Sequence, residues 1–314
     1  MDIILGIDIG GSTTKITGFP RGPGFSGAQP EGGNPPRMGQ SVGGNPPLMG
    51  RSVGGNPPLM GRSVGELLVK ASDQATSVYG SLGHFTRTFG FALGDITSIA
   101  LTGVGASFFH EKIYGVPTVK IDEFKAIGYG GLLLAGLDEA FVISMGTGTA
   151  FVRATPEGVR HIGGSGVGGG TLLGLSGLLL NKRDIEAVVP LARDGRSENV
   201  DLLVKDIIDG DIPSLPPNLT AANFGNVKST ASGPDVAVGV INLIIQTIGM
   251  LAAFASKNDP IKDFILTGAL TTLPDIKDTF DAIGQIHGIR FILPPNAVYA
   301  TATGAAYAAQ QNAG

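Results

Sequence analysis

Residues 4–19 read ILGIDIGGSTTKITGF, and residues 140–155 read AFVISMGTGTAFVRAT. Each stretch consists of an apolar strand, a glycine turn that carries hydroxyl side chains, and a second strand rich in β-branched residues. A shorter pair follows in the same order, because SIALTGVG at 98–105 and FILTGALT at 264–271 are both apolar strands that end in Thr-Gly. The two halves of the chain therefore carry the same series of elements.

This repetition predicts an α/β fold of two related lobes around a cleft, with residues 1–139 in the N-terminal lobe and 140–314 in the C-terminal lobe. A chain of 314 residues is long enough for each lobe to bury its own apolar core. Apolar periodicity between the strands predicts helices. Their expected ranges are 73–89, 123–135, 171–181, 185–193, 199–208, 235–256, 275–283 and 301–310.

The composition excludes several classes of function. The net charge is −4, from 22 basic and 26 acidic residues that are scattered along the chain, so we expect neither a nucleic acid nor a membrane as partner. The absence of cysteine excludes disulfides, thiolate-bound zinc and iron–sulfur ligation. The N-terminus lacks the basic flank of a signal peptide, and polar residues interrupt the apolar stretch 236–255. We therefore expect a soluble, cytoplasmic protein.

A Gly/Pro-rich insert, residues 20–64, separates the first glycine hairpin from the rest of its lobe. Residues 32–64 form three near-identical units of eleven residues, and the last two both read GGNPPLMGRSV. Adjacent prolines exclude helix and central strand, and so little apolar content cannot offset the entropy lost on ordering. The insert is predicted to be a loop or disordered.

The first glycine turn, Asp8 to Thr13, has the chemistry of a phosphate-binding hairpin. A dinucleotide or P-loop glycine turn opens a helix, whereas the β-branched residues after Thr13 continue as a strand. Glycines at the tip allow backbone N–H groups to approach a polyphosphate, and a carboxylate at the strand end can hold Mg²⁺. Asp8 is the metal candidate. A second turn, Gly146 to Thr149, makes a two-sided phosphate clamp more plausible than a plain hairpin.

Two further features bear on the chemistry. The run of glycines at 163–170 leads into an apolar helix, whose start attracts anions, so it should face a phosphate or the substrate carboxylate. Close packing of small residues is the alternative, and the two do not exclude each other. Phosphoryl transfer to an alcohol needs a carboxylate that accepts the hydroxyl proton. Glu123 and Asp122 both lie at a strand-to-helix corner, where either could be that base or a helix cap. Spacing alone does not choose between them.

These motifs resemble a known family. GIDIGGSTTK and SMGTGT resemble the two phosphate hairpins, and ILTGAL the adenosine segment, of the actin-like (ribonuclease H-like) superfamily of acetate kinases, sugar kinases and heat-shock ATPases. Two longer stretches, IGGSGVGGGTLLGLSGLL at 162–179 and LTAANFGNV at 219–227, are similar to segments of bacterial type II pantothenate kinases. The resemblance covers nearly the whole chain outside the insert.

The resemblance implies an ATP- and Mg²⁺-dependent kinase for pantothenate, active in coenzyme A biosynthesis as a homodimer. By resemblance, Glu123 in DEFKAIGYGG matches the catalytic base and Thr147 the catalytic hydroxyl residue. The residues that match the ATP-binding turns are Asp8, Gly10, Gly11, Ser12, Thr13, Lys15, Gly146, Gly148, Gly168, Gly169 and, near the adenine, Gly268. The residues placed at the substrate are Arg160, His161, Gly163 and Gly164.

One position departs from the family pattern. The family commonly has Arg two residues before the first Gly-Gly of its glycine run, and here that place is His161, with Arg160 one residue earlier. A one-residue shift along a strand turns a side chain to the opposite face, so Arg160 points away unless the backbone bulges. Imidazole binds a carboxylate less strongly than guanidinium does. The substrate is therefore less firmly predicted than the kinase reaction.

Other functions remain open at this point. A kinase for a sugar or another hydroxylated metabolite would use the same fold, because fold alone does not fix the substrate. An activator ATPase of the superfamily would bind an iron–sulfur cluster through cysteines, which this chain lacks. A nucleotide-binding sensor without chemistry would not need Asp8, Glu123 and Thr147 together.

Overall fold

The computed structural model of the protein describes residues 2–21, 63–70, 73–110, 112–209 and 216–311. Of the predicted insert, residues 22–62 lie outside these ranges. The insert joins two strands that are antiparallel neighbours, because the strand before it ends at Pro20 and its partner begins at Gly65. The insert therefore falls between two paired strands of the first sheet.

The first lobe is built on a five-stranded sheet with the strand order β3-β2-β1-β4-β5. Its elements are β1 (Ile3–Ile9), β2 (Thr13–Pro20), β3 (Gly65–Lys70), α1 (Gln74–Phe89), β4 (Ile96–Thr102) and β5 (Thr118–Lys120). The first three strands are antiparallel, whereas β4 is parallel to β1 and β5 to β4. Every residue of β1 is buried, as expected of a central strand covered on both faces.

The second lobe repeats this plan in a five-stranded sheet with the order β12-β11-β6-β7-β8. Its strands are β6 (Ala140–Met145), β7 (Thr149–Thr155), β8 (Gly158–Ser165), β11 (Asp263–Thr267) and β12 (Arg290–Ile292). The hairpin of β6 and β7 corresponds to that of β1 and β2, and β11 runs parallel to β6 as β4 does to β1. The predicted α/β fold of two related lobes is confirmed.

The remaining elements connect and cover the second sheet. They are α2 (Glu123–Ala135), α3 (Gly169–Leu180), α4 (Ile185–Ala192), β9 (Leu202–Leu203), β10 (Thr220–Ala222), α5 (Gly233–Ser256), α6 (Ile276–His287) and α7 (Ala300–Gln311). Among the described residues, α5 alone is long and apolar enough to cross a membrane. In the fold it is the central helix of the second core, where Ile244, Ile248 and Ala252 are buried.

The prediction of a helix over 199–208 was wrong. The segment instead forms two short 3₁₀ turns on either side of β9, which pairs with β10. The fully buried carboxylate of Asp201 explains the difference, because it accepts hydrogen bonds from Phe224 N at 2.8 Å and Asn242 Nδ2 at 2.7 Å. These long-range bonds hold the segment against α5 and compete with a helical conformation.

Two helices cross between the sheets. Ile127 of α2 packs in a cluster with Val142 and Ile265 of the second sheet, while α7 packs on the first sheet, where a Cβ on Gly6 would overlap the Ala302 carbonyl oxygen. The crossing itself is made by glycines: a Cβ on Gly130 would overlap the carbonyl of Ala300, and one on Gly304 that of Ala126. The lobes are therefore joined by a backbone-to-backbone helix contact. The division at residue 139 stays a prediction.

Candidate active site

The tips of the two glycine hairpins meet. Ser12 Oγ lies 3.3 Å from Thr147 Oγ1, and a Cβ on Gly11 would lie 3.4 Å from the same oxygen. The first tip is closed by a hydrogen bond from Gly10 N to Thr13 O at 3.0 Å. The two tips therefore lie in direct contact, the juxtaposition that a two-sided phosphate clamp requires.

Asp8 and Lys15 form a buried ion pair below the first tip. They are cross-strand partners in the hairpin of β1 and β2, and Lys15 Nζ donates to Asp8 Oδ2 at 3.0 Å. Asp8 is 7% exposed and Lys15 6% exposed. The other carboxylate oxygen, Asp8 Oδ1, lies 2.6 Å from the place where a Cβ on Gly103 would be. Gly103 has φ +86°, a conformation that favours glycine.

We expect Gly103→Ala to lower turnover, because the new methyl group would displace the Asp8 carboxylate. Gly115→Ala is the matched control, since Gly115 also has a positive φ, +76°, but has open space where a Cβ would be. Each change should cost about 1–3 kcal/mol through backbone strain, and Gly103→Ala should cost more than the control, because its Cβ would also lie 2.7 Å from the carbonyl oxygen of Ile9. Turnover of the folded fraction, measured with thermal unfolding, should fall only for Gly103→Ala. An equal fall for both would contradict a positioning role for Gly103.

Glu123 is the first residue of α2 and points into the region of this ion pair. Burial raises the pKa of Glu123, the negative charge of Asp8 raises it further, and Lys15 opposes the shift. The carboxylate therefore lies close enough to Asp8 and Lys15 for their charges to act on it. Asp122 has another task, because its exposed side chain caps the helix by accepting a hydrogen bond from Lys125 N at 2.9 Å. The structure thus separates the two carboxylates that spacing alone leaves equivalent.

The glycine run at 163–170 braces the second hairpin tip. Gly169 N donates to Gly146 O, and Gly170 N to Thr147 O, both at 2.8 Å. A Cβ on Gly168 would lie 2.7 Å from Thr147 O. Two of the N–H groups at the start of α3 are therefore engaged with backbone carbonyls and are not free for an anion. Close packing explains this part of the run better than an anion site does.

Gly148 and Gly268 also support the second tip. A Cβ on Gly148 would lie 2.8 Å from Ser165 O, and one on Gly268 would lie 2.6 Å from Met145 O, at the end of β6. Gly268 has φ +91° and follows β11 directly. The segment that resembles the adenosine segment of the superfamily therefore lies against the base of the second glycine hairpin.

A cavity of about 280 Å³ opens beyond this segment in the second lobe. Its walls come from the end of α4, from α5 and from residues 273–279. Apolar side chains such as Ile245 and Leu273 line it together with the polar groups of Arg193, Asn242 and Asp275.

A β-bulge decides which side chain of β8 faces α2. Gly163 pairs with Phe151, but the register then shifts, so that His161 pairs with Val152 and Arg160 with Arg153. His161 therefore faces α2, where its ring stacks on Phe124 with a centroid separation of 3.9 Å and an angle of 14°.

Arg160 turns to the other face of the sheet. Its strand partner Arg153 bonds to Asp259 there, at 2.8 Å. Burial alone would raise the pKa of Asp259, but hydrogen bonds and the charges of Arg153 and Arg160 lower it. The structure thus brings His161 to the region of Glu123 and leaves Arg160 outside it. The bulge in β8 does not turn Arg160 toward the site.

Two polar contacts join the lobes at the edge of the first sheet. Lys70 Nζ lies 3.4 Å from Glu186 Oε1 of α4, and Asn296 Nδ2 donates to Glu66 Oε1 at 3.0 Å. Lys70 and Glu186 are largely exposed, so their ion pair contributes little to stability. Together the two contacts place the edge of the first sheet against the second lobe.

Comparison with known proteins identifies the family. The family model described as Fumble matches residues 140–280. A type II pantothenate kinase of Staphylococcus haemolyticus is 32% identical over 222 residues, which are 67% of this chain and 82% of that protein. A type II pantothenate kinase of Bacillus cereus is 30% identical over 183 residues, which are 55% of this chain and 67% of that protein.

Solved structures with low sequence identity share the fold. The activator of 2-hydroxyisocaproyl-CoA dehydratase from Clostridium difficile aligns with a TM-score of 0.64 at 12% identity, over 99% of this chain and 95% of its own. A ROK family protein from Streptococcus pneumoniae gives 0.56 at 11%, over 99% of each chain. These two likenesses concern the fold alone. The match across 82% of the staphylococcal enzyme shows the family, and the chain belongs to the type II pantothenate kinases.

Proposed function

We propose that the chain transfers the γ-phosphoryl group of ATP to the primary hydroxyl of pantothenate, forming 4′-phosphopantothenate in the first step of coenzyme A biosynthesis. Family membership supports the substrate. The observation that carries the reaction is the meeting of the two hairpin tips, with Ser12 Oγ 3.3 Å from Thr147 Oγ1, beside the Glu123 carboxylate. Phosphoryl transfer depends mainly on such positioning and on neutralising charge.

The hairpin tips would hold the triphosphate from both sides. Backbone N–H groups approach phosphate oxygens most closely at glycine, and the Thr147 hydroxyl supplies a further donor. We assign phosphate binding to Gly10, Gly11, Ser12, Thr13, Lys15, Gly146 and Gly148, with Gly168 and Gly169 as their support. The cavity of about 280 Å³ beside the Gly268 segment is our candidate for the adenine pocket.

Asp8 is suited to be the one protein ligand of a Mg²⁺ ion. Magnesium in kinases is bound by one or two carboxylates, and substrate phosphates and water supply the other oxygens. One oxygen of Asp8 is held by Lys15, and the other faces Gly103. Among the described residues, no group of three His, Asp or Glu side chains comes together as a potential metal site. When bound, Mg²⁺ would neutralise charge on the phosphate oxygens.

Glu123 is assigned as the general base. Its carboxylate would accept the proton of the pantothenate hydroxyl while that oxygen forms a bond to the γ-phosphorus. The bond from this phosphorus to the oxygen that bridges the β- and γ-phosphates breaks, and ADP leaves. Lys15, next to the same site, would offset the charge that develops on the transferred group.

His161, Gly163 and Gly164 are assigned to the acceptor. The bulge in β8 supports His161 as the partner of the pantothenate carboxylate, because it turns that ring toward α2 and Arg160 toward Asp259. The glycines would leave room for the acceptor beside the strand. We assign no substrate contact to Arg160, because it lies on the opposite face of the sheet, near Asp259.

The raised pKa of Glu123 predicts the pH dependence of the reaction. A general base acts only when ionised, so kcat/KM should fall as the pH drops through the pKa of this carboxyl. Because burial and the charge of Asp8 raise that pKa, the loss should begin at a higher pH than for an ordinary glutamate. A pH profile of kcat/KM measures it, and an acidic limb within the ordinary glutamate range would contradict the assignment.

Assembly and location are proposed on the resemblance. We propose a cytoplasmic homodimer, and the exposed apolar side chains of Leu178 and Phe254 on the second lobe are consistent with a covered surface there. A monomer mass in analytical ultracentrifugation at working concentration would contradict the dimer.

An assay with several acceptors tests the proposed function. Purified protein is incubated with ATP, Mg²⁺ and either pantothenate or one of a panel of sugars, and products are identified by mass spectrometry. We expect phosphorylated pantothenate and no phosphorylated sugar. A phosphorylated sugar alone would favour the sugar-kinase alternative, and ATP hydrolysis without a phosphorylated acceptor would favour an activator ATPase.

A further inference from the structure

The stacked rings of Phe124 and His161 connect two parts of the candidate site. Phe124 follows Glu123 directly in the first turn of α2, and His161 belongs to the edge strand β8. Their rings lie 3.9 Å apart and 14° from parallel. Within the described ranges, neither nitrogen of His161 has a hydrogen-bond partner, so the stack is what fixes the orientation of this exposed ring.

The orientation of the ring leaves a nitrogen directed along β8. His161 Nε2 lies 3.9 Å from the place where a Cβ on Gly164 would be, and Gly164 lies toward the second hairpin tip. A side chain at position 164 would fill the space next to this nitrogen. An N–H donor in that place can bind a carboxylate of a molecule whose hydroxyl lies near Glu123.

We propose that Phe124 is a positioning residue, which holds the His161 imidazole in the orientation that binds the acceptor carboxylate. The inference rests on the proposed function and deepens it, because it names the part of the acceptor that this ring pair recognises. A stacked aromatic pair is favoured by about two- to tenfold over the same two rings separated. Loss of the stack should therefore weaken carboxylate binding by a similar factor and leave the transfer step unchanged.

The test compares two acceptors that differ only in the recognised group. Pantothenate carries the carboxylate, whereas pantothenyl alcohol has the same primary hydroxyl and a neutral CH₂OH in its place. Phe124→Leu keeps apolar volume against the neighbouring cluster but removes the ring, and Phe124→Tyr retains it. We expect Phe124→Leu to raise the KM for pantothenate about two- to tenfold, with kcat and the KM for the alcohol unchanged, and Phe124→Tyr to restore the original KM.

A double variant separates positioning from a general effect on the fold. In a His161→Ala background, Phe124→Leu should leave the KM for pantothenate where His161→Ala alone puts it. The inference is overturned if Phe124→Leu raises KM equally for both acceptors, or if its effect adds in full to that of His161→Ala. If the unaltered chain phosphorylates neither acceptor, the proposed function fails first and the inference falls with it.

Discussion

Glu123→Gln is expected to lower turnover by about 10²- to 10⁴-fold, the usual contribution of a positioned general base. Glutamine keeps the shape of the side chain but cannot accept the hydroxyl proton. Because Glu123 is not part of either hairpin tip, the variant should bind ATP with little change in affinity. Steady-state kinetics with pantothenate and calorimetric titration of an ATP analogue measure the two quantities separately.

Asp122→Asn is the matched control for this change. Asp122 caps α2 through a hydrogen bond from Lys125 N at 2.9 Å, and asparagine is an equally good cap. The control removes a neighbouring negative charge and should leave turnover within a few-fold of the unaltered protein. A large loss in Asp122→Asn together with normal turnover in Glu123→Gln would reverse the assignment of the base.

Gly304→Ala is expected to destabilise the protein by about 3 kcal/mol or more, the upper range for overpacking. A Cβ there would overlap the carbonyl oxygen of Ala126, where α7 crosses α2. The obstacle is backbone, which cannot rotate away as a flexible side chain would. Gly130→Ala should behave alike, because its Cβ would overlap Ala300 O from the other helix. Denaturant unfolding monitored by circular dichroism measures the loss.

Gly83→Ala provides the comparison for these glycines. Gly83 lies within α1, and open space surrounds the place where its Cβ would be. Alanine there should stabilise the protein by about 0.5–1 kcal/mol, because glycine loses more entropy in a helix. A similar small gain in Gly304→Ala would show that α2 and α7 do not approach as closely as described.

The local features of the fold were predictable from the sequence. The two glycine hairpins, the parallel strands that end in Thr-Gly and the helix that starts at Glu123 all depend on short-range patterns of apolar, β-branched and glycine residues. Such patterns act through neighbours in the chain, so they can be interpreted without knowing the tertiary structure. The meeting of Ser12 with Thr147 required only that the two lobes face each other.

Features that depend on distant contacts were not predictable. The helix predicted over 199–208 does not form, because the Asp201 carboxylate accepts hydrogen bonds from Phe224 N and Asn242 Nδ2. The constraint on Gly103 comes from its closeness to Asp8 and to the Ile9 backbone in the folded protein, which its sequence neighbours do not reveal. No pattern in the sequence marks the bulge in β8, which decides between Arg160 and His161. No sequence pattern predicted that the Phe124 ring would stack on His161. Only its place next to Glu123 put Phe124 near the candidate site.

The central claim is that both hairpin tips hold one triphosphate and that Glu123 lies beside the group that receives the γ-phosphoryl. A crystal structure with a non-hydrolysable ATP analogue, Mg²⁺ and pantothenate tests it most directly. We predict phosphate oxygens in contact with backbone N–H groups of both tips, and a Glu123 carboxylate oxygen about 2.6–3.2 Å from the pantothenate hydroxyl. A triphosphate bound at one tip only, or a hydroxyl beyond the reach of Glu123, would contradict the account.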